Sequence, residues 1–120
     1  MASTRVLELE DLKSRCSGKT RTMIRVLDSF VGSSASLQSK LESPEVASDL
    51  EVMGRTLHMI KGLLREISAM DAAKFLEDLE TKLNTEHVLS QEDLSSVQIC
   101  LATASQAAEE AKEELKQTPA

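Results

Sequence analysis

The chain has 120 residues, a hydrophobic fraction of 41%, two aromatic side chains and a formal net charge of −6. This length suits one ordinary domain, so we expect a single domain over residues 1–120 with its core from about 6 to 115. The charge is acidic overall and reads as spread along the chain, which argues against nucleic acid as a partner. No apolar run approaches the roughly 20 residues of a membrane span.

Helix-forming residues dominate the composition, and apolar residues recur at helical spacing from the first segment onward. The first predicted helix is short, from about Val6 to Cys16, and the Ser17-Gly18 pair ends it. A longer second helix follows from about Lys19 to Leu41. Pro44 then suits the first turn of a third helix, which we predict from about Glu45 to Ile67.

Two further helices are predicted to begin at capping boxes, in which a hydroxyl is followed three residues later by an acid. Ser68 to Asp71 opens the fourth helix, which reaches about Leu83. A polar loop from Asn84 to Val88 follows, in which we expect His87 to be a surface residue. Ser90 to Asp93 then opens the last helix, which reaches about Leu115. Residues 116–120 are expected to form a loose tail. The sequence therefore predicts an all-α protein, an antiparallel four-helix bundle with a short additional N-terminal helix.

The third predicted helix separates into a polar face and an apolar face, with His58 at the centre of the polar one. At 100° per residue, six residues lie within about 60° of His58: Glu51, Gly54, Arg55, Lys61, Gly62 and Arg65. The opposite side is apolar apart from one threonine: Val52, Met53, Thr56, Leu57, Met59, Ile60, Leu63, Leu64 and Ile67. We therefore expect the imidazole of His58 to be exposed to solvent.

Three features of this face favour a reactive histidine over an incidental one. Gly54 and Gly62 lie one turn to either side, and bare backbone there lets a partner approach the imidazole closely. Arg55, Lys61 and Arg65 suggest a local positive patch that would attract an anionic group. A neutral imidazole nitrogen is a nucleophile near pH 7. Each feature has an alternative explanation. His58 would be structural or incidental, the two glycines would reflect random sequence drift or a kink in the helix, and the cations would belong to an ordinary solvated face.

The run His58-Met-Ile-Lys61-Gly62, followed by Ile67 and Ala69, resembles the active-site helix of histidine-containing phosphotransfer (HPt) domains of bacterial and plant phosphorelays. Their pattern is His-x-Leu-Lys-Gly, followed after about five residues by a Gly-Ala pair. The segment from Phe75 to Glu80 is similar to the helix that follows in that family. The resemblance extends over about residues 6–115, although its most specific part is five residues long.

This resemblance implies a four-helix bundle in which His58 is the phospho-acceptor, Lys61 stabilises the phosphoryl group and Gly62 provides clearance. Gly54, Arg55 and Arg65 would join Gly62 in docking the partner. The sequence departs from the family pattern at Leu63 and Leu64, where small residues are usual. It departs again at Ser68, where the second glycine is expected, so that local packing there should differ.

The expected function is that of a phosphorelay intermediate, which accepts a phosphoryl group from a receiver-domain aspartate and passes it to another receiver. Its partners would be response-regulator receiver domains and an upstream hybrid histidine kinase. We expect no ATP-dependent kinase activity, no metal site and no cofactor of its own, with Mg²⁺ on the partner receiver. The chain could be free-standing or the HPt domain of a larger kinase.

Two other functions remain open from the sequence: a helical adaptor or chaperone that binds a partner through an apolar groove, and a homodimeric coiled-coil scaffold. We expect a monomer instead. The first residues lack the apolar stretch of a secretory signal, so we expect a cytoplasmic protein. Cys16 and Cys100 then read as reduced thiols, with a single disulfide in an exported protein as the alternative.

Overall fold

The computed structural model describes residues 6–117, except for the side chain of Ala47. Within this range the regular secondary structure is entirely helical, and residues 1–5 of the predicted domain and 118–120 of the predicted tail lie outside it. The described helices are α1 (Leu9–Arg15), α2 (Thr20–Leu41), α3 (Pro44–Ser48), α4 (Leu50–Glu66), α5 (Met70–Glu86) and α6 (Gln91–Gln117). Lys116 and Gln117 belong to α6, so the predicted tail begins too early.

The predicted third helix is two helices, α3 and α4, which meet at Asp49. The Asp49 backbone is extended (φ −122°, ψ 107°), and its Oδ1 accepts hydrogen bonds from the backbone N–H groups of Glu51 and Val52 at 3.0 and 3.3 Å. This is N-capping, in which a side-chain oxygen satisfies N–H groups that have no partner inside the helix. The prediction of a single helix from Glu45 to Ile67 was therefore wrong in its first turn.

The helices pack chiefly in two pairs, α2 along α6 and α4 along α5, in a body that measures 49 × 25 × 24 Å. Leu27, Leu57, Ile60, Leu76 and Leu101 are completely shielded from solvent and form the centre of the core. The helices contribute these residues at three- to four-residue spacing, which is why the apolar stripes of the sequence become one continuous core. The remaining face of α4 is left to solvent, and it carries His58.

The capping box predicted at Ser68 is absent, because Ser68 ends α4 instead of starting α5. Its backbone is left-handed (φ 60°), and its N–H and that of Ala69 donate to the carbonyls of Arg65 and Leu64 at 3.0 and 2.9 Å. These two bonds form a Schellman motif, a common helix ending that usually places glycine at the left-handed residue. Serine therefore stands where the family pattern has glycine, but the backbone still adopts the left-handed turn that glycine favours.

The hydroxyl of Ser68 is buried and joins α1 to the end of α4. It donates to Asp11 Oδ2 at 2.7 Å and accepts from the Arg15 guanidinium at 3.1 Å. The same guanidinium donates to the carbonyl of Arg65, and the Glu8 N–H donates to the carbonyl of Ser68 at 2.9 Å. The short N-terminal helix is thus held by polar contacts as well as by the burial of Leu12.

The second predicted capping box is confirmed at the start of α6. The Asp93 N–H donates to Ser90 Oγ at 3.0 Å, and the Ser90 N–H donates to Asp93 Oδ2 at 3.1 Å. Lys82 of α5 donates to the same carboxylate oxygen at 2.7 Å. The hydrogen bond from Lys82, supported by those from Ser90, lowers the pKa of Asp93 below its ordinary value. This contact also ties α5 to α6.

A Ser17→Gly substitution should stabilise the protein by about 0.5–1 kcal/mol, because a left-handed backbone is unfavourable for residues with a Cβ atom. Ser17 is exposed, has φ 55°, and follows α1 in a second Schellman turn in which the Gly18 N–H donates to the Lys13 carbonyl at 2.8 Å. Urea unfolding would measure the change. Ser14→Gly, inside α1, is the matched control and should destabilise; an equal loss in both variants would contradict the argument.

Candidate functional site

His58 lies in the middle of α4 with 72% of its side chain exposed. The side of the helix turned away from it is buried at Met53, Thr56, Leu57, Ile60 and Leu64. The division of the helix into two faces is therefore confirmed. One assignment is wrong: Met59, expected on the apolar side, is 50% exposed. It lies only about 100° from His58, at the edge where the two faces meet.

A carboxylate from the neighbouring helix holds the imidazole of His58. The Nδ1 atom lies 3.1 Å from Oε2 of Glu80, which is on α5 and is mostly buried. No pattern in the sequence marks Glu80 as part of the site, although the residue closes the segment from Phe75 to Glu80 that resembles the family. The helical spacing of Glu77, Glu80 and Asn84 shows that they share one face of α5, but only the packing of α5 on α4 brings that face to His58.

Lys61 pairs with the other oxygen of the same carboxylate. Its Nζ lies 2.7 Å from Glu80 Oε1, and only 12% of its side chain is exposed. The contact is a close ion pair, and the described part of the chain offers the buried Oε1 no further hydrogen-bond partner. His58, Glu80 and Lys61 therefore form a chain of neighbouring groups, in which Lys61 points to the carboxylate instead of standing free beside the imidazole.

The two predicted clearance glycines differ in their surroundings. A Cβ atom at Gly62 would meet nothing within 4 Å, whereas one at Gly54 would lie 3.7 Å from Leu83 Cδ2, an ordinary contact distance. Neither position requires glycine for packing inside this chain. A glycine in a helix interior costs about 1 kcal/mol relative to alanine. No packing contact in the described fold offsets this cost at Gly62. The cost is consistent with a need for a position without a side chain where another molecule approaches.

The positive patch expected around His58 is not present, because acidic residues accompany each cation. Arg55 lies 3.8 Å from Glu51, and Arg65 lies 3.7 Å from Glu77. Both arginines are largely exposed, but Glu77 and Glu80 come from α5, whose position the sequence did not reveal. The surface around His58 is consequently of mixed charge.

A groove of about 360 Å³ runs between α4 and α5 beside the site. It is lined by Leu50, Glu51, Gly54, Arg55, Glu80, Leu83, Asn84 and His87. His87 is exposed, as expected, and ends α5 with a left-handed backbone (φ 57°). The predicted loop from Asn84 to Val88 is shorter than expected, since α5 continues to Glu86. The groove gives a partner side chain access to the surface next to His58.

A Glu80→Ala substitution should change the tautomer of His58. The carboxylate can only accept, so in the parent protein the hydrogen of a neutral ring lies on Nδ1. Without that partner the ring should lose this preference. The ring ¹⁵N chemical shifts of His58 would report the change, with Glu77→Ala as the matched control that leaves the tautomer unaltered. A parent ring with its hydrogen on Nε2 would contradict the assignment.

The remaining polar groups form no second reactive centre in the described residues. Cys16 and Cys100 are free thiols, and burial raises the pKa of the Cys100 thiol. Within residues 6–117, no three His, Cys, Asp or Glu side chains are grouped so as to hold a metal ion. None of the described helices has the length and apolar character needed to cross a membrane.

The site thus combines an exposed imidazole, a carboxylate that orients it and an ammonium that balances the carboxylate. Such an arrangement can present Nε2 as a nucleophile to an electrophile arriving from solvent. Comparisons with protein-family models, with curated proteins and with solved structures find no match to this chain.

Proposed function

We propose that this protein is a phosphoryl carrier of the HPt type, which accepts a phosphoryl group on His58 from a receiver-domain aspartate and passes it to another receiver. The observation that carries the proposal is the exposed imidazole of His58 with its Nδ1 held by Glu80. The resemblance of the run from His58 to Gly62 to HPt domains points to the same function.

The hydrogen bond to Glu80 determines which nitrogen can react. Because the carboxylate accepts, Nδ1 carries the hydrogen of the neutral ring, and Nε2 keeps its lone pair. The packing of Leu57 and Ile60 in the core fixes the helix that carries the ring. A partner therefore meets a nucleophile whose position and tautomer are already set, and such positioning is the main protein contribution in phosphoryl transfer.

The transfer step conserves atoms and charge. The Nε2 lone pair of His58 attacks the phosphorus of the aspartyl phosphate in line, and the P–N bond forms as the P–O bond to the aspartate breaks. The aspartate leaves as a carboxylate on the first receiver. With phosphorus on Nε2 and hydrogen on Nδ1 the ring carries a positive charge, which Glu80 stabilises. Attack by an aspartate of a second receiver reverses the step and returns the neutral ring.

Lys61 acts in this proposal through Glu80 as well as toward the phosphoryl group. A bare carboxylate next to the imidazole would repel the incoming dianion, and the ammonium 2.7 Å from Oε1 offsets that charge. One helical turn separates Lys61 from His58, so its ammonium would also lie near the oxygens of a phosphoryl group held on the ring.

The remaining features follow from this function. The receiver supplies Mg²⁺ and the acidic pocket, the carrier has no cofactor of its own, and an upstream hybrid histidine kinase supplies the phosphoryl group. The carrier does not phosphorylate itself from ATP and acts as a cytoplasmic monomer.

Its four longer helices, α2, α4, α5 and α6, would form an antiparallel four-helix bundle with α1 as the additional N-terminal helix. Gly62 and Arg65 would meet the docked receiver on one side of His58, and Gly54 and Arg55 on the other.

The experiment that tests the proposal is transfer of labelled phosphoryl from a phosphorylated receiver domain to the purified chain. The parent protein should take up acid-labile label, and His58→Gln should not.

The groove beside Leu50 and Leu83 favours a second candidate, an adaptor that binds a partner through apolar contacts without chemistry at His58. Leu50 and Met59 are large apolar side chains exposed near the groove and the histidine. The adaptor predicts that a captured partner binds the parent and His58→Gln equally and that no label is transferred.

A further inference from the structure

The corner between α1 and α2 carries a concentration of positive charge that the site around His58 does not use. Residues 12–27 contain five basic side chains and no acidic one, whereas all twenty acidic residues of the chain lie outside this segment. The even spread of charge suggested by the overall composition is therefore wrong for this part of the molecule. We call Lys13, Lys19, Arg21 and Arg25 the basic corner.

The turn after α1 places Lys13 and Lys19 at its two ends, and the two arginines of the basic corner follow directly on α2. The Gly18 N–H donates to the carbonyl of Lys13 at 2.8 Å, and the Lys19 N–H donates to that of Cys16 at 3.0 Å. Lys13 and Lys19 therefore flank one tight turn. Arg21 and Arg25 follow on α2, one helical turn apart and on the same face. All four side chains are exposed.

The basic corner also differs from the rest of the surface in its pairing. Among residues 6–117, none of its four side chains forms an ion pair, a property shared only by the isolated Lys40. By contrast, Arg55, Lys61, Arg65, Lys74, Lys82 and Lys112 each lie within 4.0 Å of a carboxylate. Asp28, three residues after Arg25, pairs with Lys112 of α6 at 2.8 Å. Arg21 and Arg25 therefore repel each other without a compensating acid.

The start of α2 adds to this positive charge. Its N-cap is Lys19, which makes no side-chain capping bond, and its first turn contains no acidic residue. Acidic residues usually occupy the first turn because the helix dipole is positive there. Here the dipole and the four cations have the same sign, so the corner attracts anions in a protein that is otherwise acidic.

We propose that the basic corner binds a short acidic segment of a partner protein, with several carboxylates reaching the four cations at once. Nucleic acid fits less well, because the chain's two aromatic residues, Phe30 and Phe75, lie in other segments and no ring is available for base stacking. A membrane surface fits less well, because residues 12–27 include no exposed large apolar side chain to insert. Extended polyanions and flat anionic bilayers would also contact the acidic remainder of the surface, which would repel them.

The experiment is a titration of ¹⁵N-labelled protein with a short polyglutamate peptide, followed by amide chemical shifts at low and at moderate salt. Shifts should concentrate in residues 13–25 and weaken as salt rises. Arg21→Gln/Arg25→Gln should lower the affinity by about five- to tenfold. The matched control Lys40→Gln/Lys74→Gln removes the same charge elsewhere and should leave the affinity within about twofold.

Circular dichroism of both double variants checks that the helices are retained, as expected for exposed positions. Equal loss of affinity in the two double variants, shifts outside the corner, or tighter binding to phosphatidylserine vesicles or single-stranded DNA would each overturn the proposal. His58→Gln should bind polyglutamate as the parent does, so the outcome is independent of the carrier function.

Discussion

A His58→Gln variant should acquire no label when it is incubated with a receiver domain phosphorylated on its aspartate, whereas the parent protein should be labelled within the same period. Glutamine has similar reach and polarity but no ring nitrogen that can hold a phosphoryl group. The side chain is 72% exposed, so the substitution removes the nucleophile without disturbing the core. Gel separation of the two proteins, followed by acid treatment, would identify label bound through nitrogen.

The matched control for this experiment is His87→Gln, which removes the chain's other histidine from the end of α5. It should be labelled as the parent is, since His87 has no carboxylate hydrogen bond corresponding to that of His58 in the described structure. Label in His58→Gln equal to that in the parent would exclude the carrier function. Absence of label in the parent with several receiver domains would favour the adaptor.

A Leu64→Ala variant should lose about 3 kcal/mol of unfolding free energy, within the usual range of roughly 2–5 kcal/mol for such truncations in a core. Leu64 is fully buried on the face of α4 opposite His58, where the HPt pattern usually has a small residue. The core of this protein has accommodated the larger side chain, so its removal leaves a cavity. Urea unfolding followed by circular dichroism would measure the loss.

Leu63→Ala is the control for this second prediction, because Leu63 is only partly buried against the core. Its truncation should cost about 1 kcal/mol, in proportion to the smaller apolar area that it removes from water. Equal effects at the two positions would show that α4 is rotated from the described orientation. A negligible effect at Leu64 would show that alanine suits this position, as the family pattern implies.

The boundaries of the helices show where local sequence signals succeeded. Ser90 and Asp93 are close in sequence and satisfy each other's backbone groups, so the capping box could be read directly. Ser68 presents the same pattern, yet its hydroxyl contacts Asp11 and Arg15, residues more than fifty positions away. Long-range contacts changed the role of an otherwise equivalent motif, and the pattern alone did not distinguish the two cases.

The helix break at Asp49 was missed for a different reason. Aspartate is a strong N-cap residue, and its signal lay in the sequence, but the apolar periodicity on either side suggested one continuous helix. The end of α1 was easier to place, since the Ser17-Gly18 pair marked the turn, in which Ser17 proves to be left-handed. Local capping chemistry thus ended these helices even where periodicity continued across the break.

The sequence by itself determined that the described chain is helical, which side of α4 is buried and that His58 is exposed. Each of these depends on helical periodicity within one segment, which is a local property. The tertiary structure alone decided that Glu80 orients the imidazole and that Lys61 pairs with this carboxylate. These contacts join α4 to α5 across more than fifteen residues, so they depend on how two amphipathic faces pack and not on the pattern of either helix.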